Sequence, residues 1–338
     1  MIDLTGNVFV PGLKERESTG RKSWTHREMN SRSGSILCNE DVVRSTTMIA
    51  VPRLSKRLGI DLVIASEAFQ HTGSFKFRGA YNVASHVPED LLITASSGNY
   101  GQALAYACSL QKKSCIVVMP TTSAAVKIDA VREYGGQVEL VDVLVKSRVD
   151  RVAELARLHP GAYLANAADD ALAIEGYSSL GRELSSLRPM PDTVVAPVGG
   201  GGLISGILLG AKGKGMRVVG AEPLLANDAA RSLRAGKIVV DSIESPTIAD
   251  GARALTLGKR NWEIMHGALS TIIEVPEETI VEAVRLLFEL ANLKVEPTGA
   301  LGVAAVMAQP ELFRGESVCC VVSGGNVDPA VYAHILAG

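Results

Sequence analysis

One lysine in this chain stands in a setting that changes its chemistry. In the segment Gln70-His71-Thr72-Gly73-Ser74-Phe75-Lys76-Phe77-Arg78-Gly79-Ala80, Lys76 lies between small and aromatic residues just ahead of an apolar helix. Partial desolvation there lowers an ammonium pKa and supplies the neutral amine that attacks an aldehyde, which is how Schiff-base lysines are made. Read alone, the same string also suits a solvated Lys76/Arg78 pair at a helix start. A second segment, Ala196-Pro197-Val198-Gly199-Gly200-Gly201-Gly202-Leu203, follows an apolar strand and opens an apolar helix. Its four glycines let backbone N–H groups turn inward around an anion at a helix N-terminus, and a phosphate is the natural occupant. A dinucleotide fits less well. The G-x-G-x-x-G pattern is met only loosely, through Gly201 and Gly206.

Two more turns carry polar groups. Ser96-Ser97-Gly98-Asn99-Tyr100-Gly101-Gln102 follows the strand LLITA and leads into the helix ALAYACSL. Hydroxyls and amides at that turn, from Ser96, Ser97, Gly98 and Asn99, can hold a substrate carboxylate, and the Asn99 amide can reach a phenolic oxygen. A simple Ser/Asn helix cap is the competing reading. Val322-Ser323-Gly324-Gly325-Asn326 ends the last strand, where the Ser323 hydroxyl can meet a pyridine nitrogen or serve an ordinary turn.

These segments need elements that aim them at one place. From about Asp61 short β-branched runs alternate with amphipathic stretches: DLVIAS, LLITAS, SCIVVMP, QVELVDV, DTVVAPV, RVVGAEP, STIIEV and SVCCVVS. Between them residues 101–110, 123–134, 147–158 and 277–293 carry apolar side chains at helical spacing. The pattern predicts an α/β fold with a parallel sheet covered by helices on both faces. Ligands in such sheets bind at the carboxyl ends of strands, where all three polar turns fall. The first 40 residues are polar and weakly patterned, and read as an arm packed on the body or on a second subunit, or as a flexible tail.

With 338 residues, 47% of them hydrophobic, the chain can bury a core large enough for two domains. A formal net charge of −2 gives no reason to expect nucleic acid or an anionic membrane as partner, so a small-molecule substrate is expected. The N-terminus lacks a continuous apolar signal region and no apolar run reaches the roughly 20 residues of a membrane helix, so a cytoplasmic location is the default expectation. Cys38, Cys108, Cys115, Cys319 and Cys320 show no C-x-x-C spacing and read as buried free thiols.

In order and spacing, the T-G-S-F-K-F-R-G-A string, the S-S-G-N turn, the tetraglycine loop and the S-G-G-N turn resemble the fold-type II pyridoxal-phosphate enzymes. They are most similar to the serine racemase and serine/threonine dehydratase group, from about Arg44 to the C-terminus. That resemblance implies a tryptophan synthase β-like fold of two open twisted α/β domains with the cofactor in the cleft. Residues 92–166 would form the small domain, and 1–91 with 167–338 the large one, of which 1–40 is the arm. It implies that Lys76 forms the Schiff base, that Phe75 and Asn99 contact the cofactor, and that Gly199, Gly200, Gly201 and Gly202 hold its phosphate. Gly251, in Thr247-Ile248-Ala249-Asp250-Gly251-Ala252-Arg253, and Glu296, in Glu296-Pro297-Thr298-Gly299-Ala300, would lie near the ring, with Ser323 at its nitrogen. A neutral Ser at that nitrogen does not keep the pyridine protonated, which favours β-elimination over transamination.

Ser97 stands where the group's racemases carry Ser and many threonine dehydratases carry Ala. With Lys76 on one face and Ser97 on the other, the minimum for racemisation is present, although hydroxyaspartate dehydratases carry Ser there too. Ala221-Glu222-Pro223-Leu224-Leu225-Ala226-Asn227-Asp228 resembles the group's divalent-cation loop, implying Mg²⁺ or Ca²⁺ on Glu222, the Ala226 carbonyl and Asp228; a helix cap is the alternative. Tyr100 replaces the usual His, His71 replaces a variable residue, and Glu175-Gly176-Tyr177-Ser178-Ser179 replaces a G-Q-G-T turn, so the pocket wall departs from the group.

The reading is therefore a homodimeric lyase that removes ammonia from serine, threonine or 3-hydroxyaspartate, with or without racemase activity. Its rivals are a β-replacement enzyme, whose relatives show an N-K-D-R-like context that Lys76-Phe77-Arg78 does not match, and a non-catalytic module binding phosphate or a nucleotide through residues 199–202.

Overall fold

The computed structural model describes residues 42–96, 98–123, 125–269 and 271–338. Among the described residues, ten strands form two sheets. In chain order they are β1 (Thr47–Ala50), β2 (Asp61–Ser66), β3 (Leu91–Ala95), β4 (Ser114–Pro120), β5 (Gln137–Val141), β6 (Tyr163–Leu164), β7 (Thr193–Pro197), β8 (Arg217–Pro223), β9 (Ile272–Val275) and β10 (Ser317–Val322). Six of them run in the order β1-β2-β10-β7-β8-β9 and four in the order β5-β4-β3-β6. The smaller sheet is thus built from a continuous stretch inserted between β2 and β7.

All eight strands expected from the hydrophobic runs are present, and every pairing except one is parallel. The exception is β1, an antiparallel edge strand against β2, which lies ahead of the first run taken as a strand. The two-residue β6 is too short for periodicity to reveal.

The central strand β10 lies between β2 and β7, with Val318 opposite both Leu62 and Thr193. Because side chains alternate across a strand, Cys319 and Val321 enter one apolar cluster while Cys320 and Val322 enter the other. A strand buried on both faces needs no polar alternation, and SVCCVV shows none. Cys108, Cys115, Cys319 and Cys320 are buried free thiols, as expected; Cys38 lies outside the described residues.

Local signals set the helix ends. The helix Arg148–Leu158 starts at Ser147, whose hydroxyl accepts from the Asp150 amide, and Ala171–Ser186 starts at Asp170, whose carboxylate accepts from Leu172 and Ala173. Glu277–Ala291 stops at Asn292, which adopts a left-handed conformation at φ 52°. The altered segment around Tyr177 is not a turn: residues 175–179 lie inside the helix Ala171–Ser186, because the Asp170 cap starts that helix early.

Candidate active site

The residues singled out lie at three strand ends and one kinked turn. The kink comes from Thr72 and Gly73, both left-handed at φ 58° and 71°, which reverses the chain just before Lys76 opens the helix Lys76–His86. Left-handed backbone is costly for a residue with a Cβ. At Gly73 a side chain is also excluded by space, since a Cβ would overlap the Asn326 amide. The turn is tied to the end of β10: the Phe75 amide donates to the Ser323 carbonyl at 3.0 Å, and the Gly325 amide to the Gly73 carbonyl at 3.0 Å. Lys76 and Ser323 are thereby neighbours, as their motifs imply.

The Lys76 amine donates to the Ala167 carbonyl at 3.2 Å and lies 4.8 Å from the centre of the Phe75 ring. Burial pulls its pKa from 10.5 down to about 8, with the Glu296 carboxylate opposing that shift. A lysine near 8 supplies the neutral amine in useful amounts at physiological pH. Glu296 is buried at the N-cap position of the helix Pro297–Ala308, without a side-chain cap hydrogen bond, and Pro297 takes the first helical position. Burial lifts its carboxyl to about 7 and Asp250 adds to the lift, against the Asn99 hydrogen bond and the charges of Lys127 and Lys76. Asn99 donates to both Glu296 oxygens, at 2.8 and 3.1 Å, while its own carbonyl oxygen accepts from Asn326 at 2.8 Å.

The glycine loop ends β7 and starts the helix Gly202–Gly210, with Gly201 at φ 93°. Its neighbours leave little room for a side chain. A Cβ on Gly199 would lie 3.1 Å from the Ala252 Cα and 3.2 Å from the Gly251 carbonyl; one on Gly200 would meet the Ala168 side chain at 2.8 Å. Gly251, whose amide donates to Thr298 Oγ1 at 2.9 Å, therefore sits against the loop. Asn261 fixes the other side by donating to the carbonyls of Gly200 and Ala168, at 2.7 and 2.9 Å.

Other expected residues divide. The Ser96 hydroxyl accepts from the amides of Gly98 and Gly101, closing the turn as a cap does. Ser97 lies outside the described residues. His71 faces away from Lys76: its Nε2 contacts the Val42 carbonyl at 3.0 Å, and its ring packs on Phe77 and Tyr106. Tyr100 is buried with its ring centre 6.0 Å from the Lys76 amine, and its hydroxyl has no partner among the described residues. Sequence reasoning assigned no role to Asn326, Asn261 or Lys127. The Lys127 ammonium, from the helix Ala125–Glu133, pairs with Asp250 at 2.6 Å.

Glu222 ends β8 and Asp228 starts the helix Asp228–Ala235, with Ala226 closing the short turn Leu224–Ala226 between them. Glu222 Oε1 accepts from the Ala230 amide at 2.7 Å, whereas Glu222 Oε2 and Asp228 Oδ2 are buried without partners among the described residues. Burial raises the two carboxyls to about 8 and about 7, each reinforced by a neighbouring Asp. Among the described residues no group of three or more His, Cys, Asp or Glu side chains is gathered.

Pyridoxal phosphate fits these residues: a glycine loop at a helix N-terminus, an aldehyde-reactive amine nearby, and buried hydroxyls on Thr72 and Ser74 that have no partner among the described residues. The pyridoxal-phosphate dependent enzyme family matches residues 40–324. A serine racemase of Oryza sativa subsp. indica is 35% identical over 93% of this chain and 94% of its own length. An L-threo-3-hydroxyaspartate ammonia-lyase of Pseudomonas sp is 35% identical over 88% of this chain and 95% of its own. Among solved structures, maize serine racemase superposes with a TM-score of 0.82 at 32% identity, covering 88% of this chain and 93% of that one. A threonine deaminase from T.th. superposes with a TM-score of 0.79 at 37% identity, covering 84% of this chain and 92% of that one. The chain belongs to the pyridoxal-phosphate-dependent enzymes, in the fold-type II serine racemase and serine/threonine dehydratase group.

Proposed function

We propose that this enzyme removes ammonia from a small β-hydroxy amino acid, serine, threonine or 3-hydroxyaspartate, by loss of the β hydroxyl as water and hydrolysis of the released enamine to a keto acid and ammonia, with racemisation of the same substrate as its second outcome. The observation that carries the reading is the desolvated Lys76 amine, held between the Phe75 ring and the Ala167 carbonyl beside the glycine cradle.

When bound, pyridoxal phosphate supplies an aldehyde that condenses with an amine and a ring that accepts charge from the α carbon. The residues supply the rest. Gly199, Gly200, Gly201 and Gly202 would hold the phosphate at a helix N-terminus. Phe75 would flank the ring, Gly251 approach it through backbone, and Ser323 face its nitrogen. The Asn99 amide and Glu296 would face the phenolic oxygen, joined by the hydrogen bonds they already make. Lys76, as a free amine, would take the α proton, while Ser96, Ser97, Gly98 and Asn99 would hold the substrate carboxylate at their turn. Ser97 would return a proton on the opposite face, which inverts the α carbon when it precedes loss of the hydroxyl. The larger sheet would be the core of a large domain, 1–91 with 167–338, and the smaller sheet that of a small one, 92–166, and closure of the two on the substrate would exclude water from the reacting centre.

Glu222, the Ala226 carbonyl and Asp228 would hold Mg²⁺ or Ca²⁺, a hard cation suited to oxygen ligands and to two otherwise orphaned carboxylate oxygens. A cytoplasmic homodimer completes the proposal. Among the described residues, no helix is long and apolar enough to cross a membrane.

The test is to purify the protein, record its visible absorption, and supply L-serine, L-threonine and 3-hydroxyaspartate separately while following keto acid and D-isomer. A visible band absent from Lys76→Ala, with keto acid or D-isomer from one substrate, supports the proposal. A colourless protein, inert after addition of pyridoxal phosphate, sinks it.

A further inference from the structure

Tyr177 is wholly buried, and two neighbouring helices are shaped around it. A Cβ on Gly206 would lie 2.5 Å from the Tyr177 Cβ, one on Gly79 would lie 2.5 Å from its Cζ, and one on Gly202 3.3 Å from its Cε2. The ring therefore occupies space vacated by the helix that Lys76 opens and by the helix behind the glycine loop. Its hydroxyl donates to the Ala167 carbonyl at 3.1 Å, the same oxygen that accepts from the Lys76 amine at 3.2 Å. The ring centre lies 4.9 Å from that of Phe75 and 5.7 Å from the Lys76 amine. Ala167 belongs to the segment that leads from β6 back toward the larger sheet, and its neighbours are pinned: the Ala165 amide donates to the Ile93 carbonyl, and the Asn166 side chain accepts from the amides of Ala168 and Asp169.

A carbonyl oxygen with two donors binds each less tightly than it would bind one alone, because each donor draws on the same electron density. We propose that Tyr177 is a positioning residue for Lys76. Its hydroxyl orients the Ala167 carbonyl as the seat of the free lysine amine and weakens that seat enough for the amine to leave it. The inference rests on the assignment of Lys76 as the cofactor lysine. It gives the departure of the neighbouring sequence from the group's pattern a role: the tyrosine couples the reactive amine to the segment joining the two sheets.

Other groups facing Lys76 do not duplicate this. Glu296, from the start of the helix Pro297–Ala308, attracts the ammonium, and Lys127 and Asp250 act on Glu296. Tyr100 contributes only its ring face at 6.0 Å. Tyr177 alone of these shares the acceptor. Burial holds the Tyr177 hydroxyl far above its ordinary pKa, so it remains a donor throughout the working range.

The test uses the full chain stripped of cofactor with hydroxylamine. Pyridoxal phosphate is added across a pH series, and its capture by Lys76, amine and aldehyde giving imine and water, is trapped by borohydride and counted by mass. In Tyr177→Phe the carbonyl turns wholly to the ammonium, and the pH midpoint of capture rises by about half a pH unit to one unit. Replacing Tyr177 with 3,5-difluorotyrosine, which is nearly isosteric and a stronger donor, lowers the midpoint; this variant keeps the test decisive should Tyr177→Phe fail to fold. A purely structural tyrosine would leave the midpoint in place, and an unmoved midpoint in folded variants overturns the proposal. A wild-type chain that captures no pyridoxal phosphate at Lys76 overturns the cofactor-lysine assignment as well, which separates the two failures.

Discussion

Asn326 reaches across from the end of β10 to Asn99 at the start of the helix Asn99–Leu110, its Nδ2 2.8 Å from the Asn99 Oδ1. The same Nδ2 donates to the Thr72 carbonyl at 2.7 Å. One amide thus links the kink before Lys76, the turn after β3 and, through Asn99, the Glu296 carboxylate. It also settles which way Asn99 points: with Oδ1 taken by Asn326, the Asn99 N–H groups face Glu296 and the reacting centre.

Asn326→Ala should uncouple that arrangement. Two acceptors, the Thr72 carbonyl and Asn99 Oδ1, lose their donor, which costs about 1–3 kcal/mol of stability when such groups stay buried. A misplaced Asn99 should lower kcat by roughly 10²-fold, since small displacements of positioning groups have effects of that order. Thermal unfolding and steady-state kinetics on the preferred substrate measure the two losses, and wild-type kcat in the folded variant would refute the positioning role.

Glu296→Gln should move the acid limb of the rate profile to lower pH. The Glu296 carboxylate stabilises the Lys76 ammonium and so holds the lysine pKa up, against the burial that takes it to about 8. Removing that charge lets the amine lose its proton more readily, and the midpoint falls. Asn99 keeps an acceptor in the glutamine carbonyl, so folding should change little. The check is a pH series of kcat/KM for both proteins, and a midpoint that rises or stays put contradicts the assignment.

Arg78, two residues from Lys76, should prove essential to folding. Its guanidinium is 1% exposed and bonds Glu67 at 2.7 Å and Glu183 at 2.6 Å. Further bonds run to Ser179 at 2.9 Å and Thr46 at 2.8 Å. Arg78→Ala would leave the buried Glu67 unpaired, a loss of about 3–5 kcal/mol for a pair of this kind. Arg78→Lys should recover only part of it, because an ammonium cannot reproduce a planar fork. Denaturant titration of the two variants gives the ranking.

Lys76, the tetraglycine loop and the Ser323 turn could be read from the sequence because each is a local unit in which residue type follows from strand, turn and helix over a dozen positions. Arg78 could not. Beside Lys76 it reads equally well as half of a solvated pair, and only Glu67 from just beyond β2 and Glu183 from a distant helix make it a buried ion cluster. Asn326 and Asn99 are 227 residues apart, so their contact leaves no periodic trace. Tyr177 stood out as a departure from a pattern, but its function depends on a carbonyl, Ala167, whose place no side-chain preference encodes. β1 and β6 were missed for another reason: four and two residues are too few to establish an alternation.

Divalent cations should stabilise the fold through Glu222 and Asp228. Each presents a buried carboxylate oxygen without a partner among the described residues, and like charges held together out of water are costly unless a cation or protons neutralise them. A ligand that binds only the folded state adds about 2.7 kcal/mol at a hundred times its Kd. Mg²⁺ or Ca²⁺ should therefore raise the melting temperature of the chelator-treated protein by several degrees. Asp228→Asn should abolish that response, because it removes one ligand charge with almost no change in side-chain size. The measurement is a pair of melting curves, with and without each cation, on the wild type and the variant. A wild-type curve indifferent to both cations would refute the assignment, whereas a response that survives in Asp228→Asn would move the cation to other ligands.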